Sequence, residues 1–405
     1  MKCILSIIIL LSCCSAEQVR SWMLSSGQVF EASFSEMANS SVRLKSADGR
    51  STTIPSQQLS IVDLLYLVDE QQVPLEKLER GFQPNIEQKY RPKTSLMRKG
   101  DKITLELGKD RLHLTTFSSE HFELWAEERI DFSDCAEVLE RAWFYQAWRN
   151  PHYREKRKKK TLMIYTTTEE GSIFLTEYFI AARPDLSEQR KSSHRQMMRS
   201  NGRDLFLRGV VSEVDERGLH PHARVTRAEK LDFQDESMHH TILAYGTMRE
   251  YGLYDNSYRR DEQYDQSFNY FIEAMRYDSE TSVYEAALTA MHTDMGSKGN
   301  FGTLREISRD IKTRLKKGSF TPQLDYLFSM ESSMKLEPEF GPEIVAIGRF
   351  LRSDLRHELG TARYIQKINK QSIKHTPEEL AKTYGYASFA EMEEAYRSFL
   401  DQKEW

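Results

Sequence analysis

Three of the four cysteines in this 405-residue chain, Cys3, Cys13 and Cys14, lie in an apolar N-terminal segment, so Cys135 is the lone thiol of everything that follows. One thiol cannot form an intramolecular bridge, and the fold must be held by buried side chains rather than by disulfides. The chain has the material for that: 20 Phe, 19 Tyr and 5 Trp exclude global disorder. Its 19 Gly and 11 Pro are too few for a collagen-like or low-complexity architecture. The 57 Lys and Arg against 61 Asp and Glu leave a net charge of −4, without the overall basic character of a nucleic-acid binder. No nucleic-acid partner is therefore expected. Cys135 falls in the amphipathic helical pattern of Ser133 to Arg149 and reads as a core residue.

Met1-Lys2, the apolar run Cys3 to Cys14 and the small residues Ser15-Ala16 have the order of a secretory signal peptide, residues 1–16. The run is shorter than the ~20 residues a membrane-spanning helix needs, so no transmembrane segment is expected. Two processing sites are legible. Cleavage after Ala16 would release a soluble chain, and this is the favoured reading. Leu10-Leu11-Ser12-Cys13 resembles a bacterial lipobox, which would leave a lipid anchor on Cys13. Either route exports the protein to the periplasm, the cell surface or the medium.

Residues 17–70 read as a small strand-rich module. Val29 to Phe34 and the alternating Val42-Arg43-Leu44-Lys45 are strands, Asp48-Gly49 is a hairpin turn, and Thr52-Thr53-Ile54 is a third strand ended by Pro55. Leu59-Ser60 followed by Asp63, Leu64 and Tyr66 signals a short closing helix. The order Arg20-x-Trp22, Gly27, Phe30-Glu31-Ala32, Val42-x-Leu44, Asp48-Gly49-Arg50, Ile54-Pro55, Leu59-Ser60 and Asp63-x-x-Tyr66 resembles the first Sla homology domain. The resemblance implies an SH3-like antiparallel β-barrel that binds a protein or peptide. In fungal endocytic adaptors the family binds Asn-Pro-Phe-x-Asp peptides, and exported proteins of Planctomycetes and Verrucomicrobia carry it. Trp22, Phe30, Pro55 and Tyr66 are the candidate protein-binding residues, with Trp22, Phe30 and Phe34 also suited to the barrel core.

Residues 71–100, with Pro74, Pro84 and Pro92 among charged residues, are expected to be a linker. Residues 101–230 read as strand-rich α/β: strands at Ile103–Leu107, Arg111–Thr116, His121–Trp125 and Leu162–Tyr165, with a helix at Asp134–Trp148. The basic run Arg154 to Lys160 is expected to be a solvated loop. Residues 231–405 read as helical, with amphipathic stretches at Ser282–Met291 and Glu343–Leu355 and an aromatic-rich core stretch from Tyr251 to Phe271. The fold class expected is therefore α+β and multidomain.

The layout of strands, the His-bearing helix and the terminal Leu380 to Leu400 segment resembles gluzincin, or peptidase-MA-like, zinc peptidases. That resemblance implies two histidines one turn apart, a glutamate base between them and a downstream glutamate on zinc. The residues do not follow the pattern. His239 stands at the first ligand position, but His240 replaces the base and Leu243 the second histidine, while Glu273 matches the downstream ligand. In His357-Glu358-Leu359-Gly360-Thr361, Thr361 stands where the second histidine belongs. Structural histidines are the default reading and no cofactor is expected; a regrouped site from His220, His222, His239 and Glu273 is the alternative metal candidate, and zinc the cofactor it would take. Serine-hydrolase elbows, phosphate loops and dinucleotide fingerprints are absent from the sequence. Two functions follow: an exported binding or scaffold protein with an inactive peptidase-like domain, or a metal-dependent hydrolase with an atypical zinc site.

Overall fold

The computed structural model describes residues 18–83, 90–93, 96–127, 132, 136–149, 160–166, 168–182, 184–199, 205–208, 219–227, 304–322, 324, 341–369 and 376–402. The chain divides into two compact units, Met1–Gln83 and Pro84–Trp405.

The first unit is a four-stranded antiparallel sheet in sequence order: β1 (Val19–Met23), β2 (Val29–Ala38), β3 (Ser41–Lys45) and β4 (Ser51–Pro55). Strand β1, which alternation alone does not mark, pairs Trp22 with Phe30 and Arg20 with Ala32. The β3–β4 turn forms at Asp48-Gly49 as expected. Gly49 takes a positive φ of 83°, and Asp48 accepts hydrogen bonds from the Ser46 hydroxyl and the Arg50 amide. Pro55 ends β4 and starts a 3₁₀ turn over Ser56–Gln58. The chain then runs back along the end of β1: the Ser25 amide donates to the Gln58 carbonyl, Leu24 bridges Leu59, and the Ser60 amide donates to the Met23 carbonyl. Ser60 caps α1 (Ile61–Asp69). Its hydroxyl accepts from the Asp63 amide, satisfying a donor that the first helical turn cannot. Trp22, Met23, Val42, Leu44, Leu59, Leu64, Leu65 and Leu67 form the buried interior.

A second helix, α2 (Leu75–Glu79), lies inside the stretch expected to be a linker. Pro74 stands just before its first residue in an extended conformation, φ −58° and ψ 134°, and Leu78 is buried. The prolines that suggested a linker thus include one that immediately precedes a helix.

The second unit contains a six-stranded mixed sheet in the order β5-β6-β7-β8-β10-β9. These strands are β5 (Arg98–Leu107), β6 (Asp110–Ser118), β7 (Phe122–Glu127), β8 (Lys160–Thr166), β9 (Leu205–Arg208) and β10 (Leu219–Arg227). β5, β6 and β7 form an antiparallel meander; β7, β8 and β10 run parallel; β9 pairs antiparallel with β10. The parallel connections carry α3 (Ala136–Arg149), then α4 (Glu169–Ala181) and α5 (Glu188–Arg199). Leu105, Leu114, Trp125, Leu162 and Ile164 pack with Leu175, Tyr178 and Phe179 of α4 into one core. On the other face, Phe117 and Tyr165 meet Phe132. β7 is buried through its first five residues, the pattern of a strand covered on both sides.

The C-terminal helices are α6 (Leu304–Lys316), α7 (Gly341–Phe350), α8 (Leu355–Asn369), α9 (Pro377–Thr383) and α10 (Phe389–Asp401). The helix expected over Glu343–Leu355 instead breaks after Phe350. Leu351 to Ser353 close a turn on Ile347, Arg349 and Phe350, and Asp354 accepts from the His357 amide to start α8 afresh. Thr376 and Ser388 cap the last two helices by accepting the Glu379 and Glu391 amides. Glu391 returns a bond to the Ala387 amide. Among the described residues, no helix is long and apolar enough to cross a membrane.

Candidate functional site

The motif residues of the first unit converge on one buried carboxylate. Asp63, fully buried on α1, accepts from the Met23 amide at 2.9 Å and from the Ser60 hydroxyl at 2.6 Å through Oδ2. Its Oδ1 lies 3.1 Å from Arg20 Nη2. The Arg20 guanidinium sits over the Tyr66 ring at 4.0 Å and the Trp22 ring at 4.9 Å. Trp22 and Tyr66 meet edge-on at 5.8 Å, and the Trp22 indole N–H donates to the Ala32 carbonyl at 2.9 Å. Strand periodicity places Arg20 and Trp22 on one face of β1, and helix periodicity places Asp63 and Tyr66 one turn apart on α1. Their joint burial of a charge is tolerable because the carboxylate has three donors and the cation a paired anion and two aromatic faces.

The cluster separates the four sequence-nominated binding residues into two pairs. Trp22 and Tyr66 are buried, with their polar atoms bonded within the module; Tyr66 Oη accepts from Gln71 at 2.9 Å. Their contacts build the fold. Phe30 and Pro55 are only half-buried, and Val19 and Val29 are 51% and 45% exposed. Those four residues carry apolar surface that a ligand can reach.

In the second unit the string His357 to Thr361 is likewise committed to internal bonds. His357, 3% exposed, uses Nε2 with Tyr386 Oη at 2.7 Å and Nδ1 with Ser353 Oγ at 3.1 Å and Asp354 at 2.9 Å. Glu358 accepts a two-point pair from Arg149 of α3, and Thr361 bonds Tyr384 Oη at 3.0 Å. Burial drives the Tyr386 hydroxyl up to about 12 and the Tyr384 hydroxyl further still, so both stay protonated. The arrangement is a buried polar network that joins α3, α8 and the α9–α10 connection.

Of the metal candidates, His239 and Glu273 lie outside the described residues, as do Cys135, His240 and Leu243, most of the basic run before β8 and the helix expected at Ser282–Met291. His220 and His222 lie on β10, with His222 opposite Arg208 of β9. Among the described residues, no group of three or more His, Cys, Asp or Glu is placed to hold a metal ion.

The family model of SLA1 homology domain 1 matches residues 12–75. This is the stretch that holds the Arg20–Asp63 cluster, and the match suggests a protein-binding module. No curated protein and no solved structure matches the chain. The zinc-peptidase resemblance of the second unit draws no support from these comparisons.

Proposed function

We propose that the chain is an exported protein that binds a protein or peptide through an SH3-like barrel at its N-terminus. The observation that carries this reading is the family match over residues 12–75, on a module whose motif residues form one buried cluster. The barrel reading is supported by the return of Gln58 to Ser60 along the end of β1, which brings the far end of the sheet back to its first strand. Contact with the ligand is assigned to Phe30 and Pro55, because Trp22 and Tyr66 are buried with their polar atoms bonded within the module. Export rests on the order of charge, apolar run and small residues before Glu17.

The test is selection of peptides from a displayed random library on the purified full chain. A recurrent motif that binds with micromolar affinity, weakened about tenfold by Phe30→Ala in a protein with an unchanged melting curve, is the expected result. Selected peptides that bind the Phe30→Ala and Pro55→Ala variants as well as the parent would refute the assigned contact. Fractionation of a bacterial host expressing the whole chain tests export. Retention of the uncleaved protein in the cytosol would refute it.

A further inference from the structure

At the turn between β6 and β7, His121 is held more firmly than a partly exposed side chain requires. Glu140 of α3, 2% exposed, accepts from the His121 amide through Oε1 at 2.9 Å and from Nδ1 through Oε2 at 2.6 Å. An ionised carboxylate only accepts, so Nδ1 carries the proton and a neutral ring leaves its lone pair on Nε2. The imidazole lies flat on Trp143, with centroids 3.4 Å apart and planes at 11°, which fixes the ring's rotation as well as its tautomer. The side chain is 22% exposed, and Nε2 has no hydrogen-bond partner among the described residues. The turn itself is pinned: the Ser119 amide donates to the Phe122 carbonyl, the Phe122 amide donates to Ser119 Oγ, and Lys160 Nζ donates to the Ser119 carbonyl at 2.7 Å. The ammonium of Lys160 thus stands on the same turn.

We propose that His121 and Glu140 form an acid–base dyad in which Nε2 takes a proton from a water attacking an acyl carbon, the substrate class being a carboxylic ester. The carboxylate behind Nδ1–H fixes the tautomer that leaves Nε2 as the acceptor, and a locked ring removes the orientational cost of the transfer. In the step, the water oxygen bonds to the acyl carbon, its proton goes to Nε2, and the carbon–oxygen bond to the leaving alcohol breaks. The alcohol leaves as its anion, and the proton on Nε2 returns to solvent. This inference is independent of the ligand-binding reading of the first unit.

A purely structural tether between the turn and α3 would need only the bond to Glu140, and His121→Asn separates the two roles. The asparagine amide can supply the donor that Nδ1–H supplies, while nothing replaces Nε2. The experiment is hydrolysis of p-nitrophenyl acetate by the purified full chain, its His121→Asn variant and its Glu140→Gln variant, beside free imidazole at equal concentration. The expected result is a parent rate about tenfold or more above both His121→Asn and free imidazole, with Glu140→Gln in between. A parent rate equal to either reference overturns the proposal. If Glu140→Gln does not fold, the comparison of parent with His121→Asn, matched by circular dichroism, decides alone.

Discussion

Arg149 and Glu358 stand 209 positions apart in the chain, yet their side chains form a two-point pair, Nε to Oε2 at 3.0 Å and Nη2 to Oε1 at 2.9 Å. Both are almost wholly enclosed, 5% and 1% exposed, and Arg352 Nε lies 3.5 Å from the same carboxylate. The pair joins α3, in the first parallel crossover, to α8 in the C-terminal helical region. It belongs to the same helical turn whose histidine and threonine bond Tyr386 and Tyr384. Removing one partner strands a buried charge, so Glu358→Ala is expected to cost about 3–5 kcal/mol. Replacing both, as Arg149→Met with Glu358→Leu, should cost much less, because no charge is left unpaired. Denaturant melts of the two variants check this. Equal losses would show that the pair is not the enclosed contact described.

Gly360 tests the close approach of α8 to the chain after α9. A Cβ there would sit far inside van der Waals contact with the Tyr384 ring. In an exposed helix interior Gly→Ala adds roughly 0.5–1 kcal/mol of stability. Here Gly360→Ala is expected to destabilise by about 1–3 kcal/mol instead, through overpacking. Thermal unfolding gives the sign directly.

The N-terminal module depends on Asp63 in the same way. Asp63→Ala would leave the Met23 amide, the Ser60 hydroxyl and the Arg20 guanidinium without their shared acceptor. A loss of about 3–5 kcal/mol is expected, enough to unfold a module of this size. Because Trp22 is wholly enclosed beside this cluster, a red shift of its fluorescence in the variant would report the loss. An emission maximum unchanged from the parent would show that the carboxylate is dispensable.

Acid stability is expected to fall through Glu140 and Asp354. For Glu140, burial pushes the carboxyl up, but the hydrogen bond and charge of His121, with bonds from Ser119 and the His121 amide, outweigh it. For Asp354, burial again pushes up and His357 and Arg356 pull further down. Both end below their ordinary values. A depressed carboxyl contributes stability above its unfolded value that is lost as pH falls through the folded one. Melting temperature should therefore drop below about pH 4, and less steeply in Glu140→Gln measured against its own neutral-pH value. Parallel curves for parent and variant would count against the His121–Glu140 contribution.

At the alkaline end the sign reverses. Burial, with the charges of Glu140 and Glu120, raises Tyr90 to about 12, and burial and Asp354 raise Tyr386 to about 12. A raised hydroxyl contributes stability that is complete below the unfolded value near 10 and is lost as pH climbs toward 12. Tyrosinate absorbance at 295 nm should show a late step that coincides with loss of far-ultraviolet circular dichroism. A late tyrosine step with the fold intact would contradict the enclosure of these rings.

Much of the architecture was written in local pattern. Alternation at Val42 to Lys45, the Asp48-Gly49 turn, the Pro55 stop and the strand core of β5 to β8 follow from side-chain period and turn chemistry, which act over a few residues. The first unit's family likeness was legible for the same reason, because its motif residues fall in fixed order within a short stretch. Other features needed the folded chain. No periodicity could show that Arg20 would lie over Trp22 and Tyr66 against Asp63, burying two of the four nominated binding residues. Nor could it show that His357 and Glu358 would be sealed by Tyr386 and Arg149, or that a strand-entry histidine would receive a buried glutamate from α3. Sequence sets what each residue can donate, accept or bury. Which partner it meets depends on chain segments tens to hundreds of residues away, and only tertiary packing, by excluding water around the chosen pair, decides that.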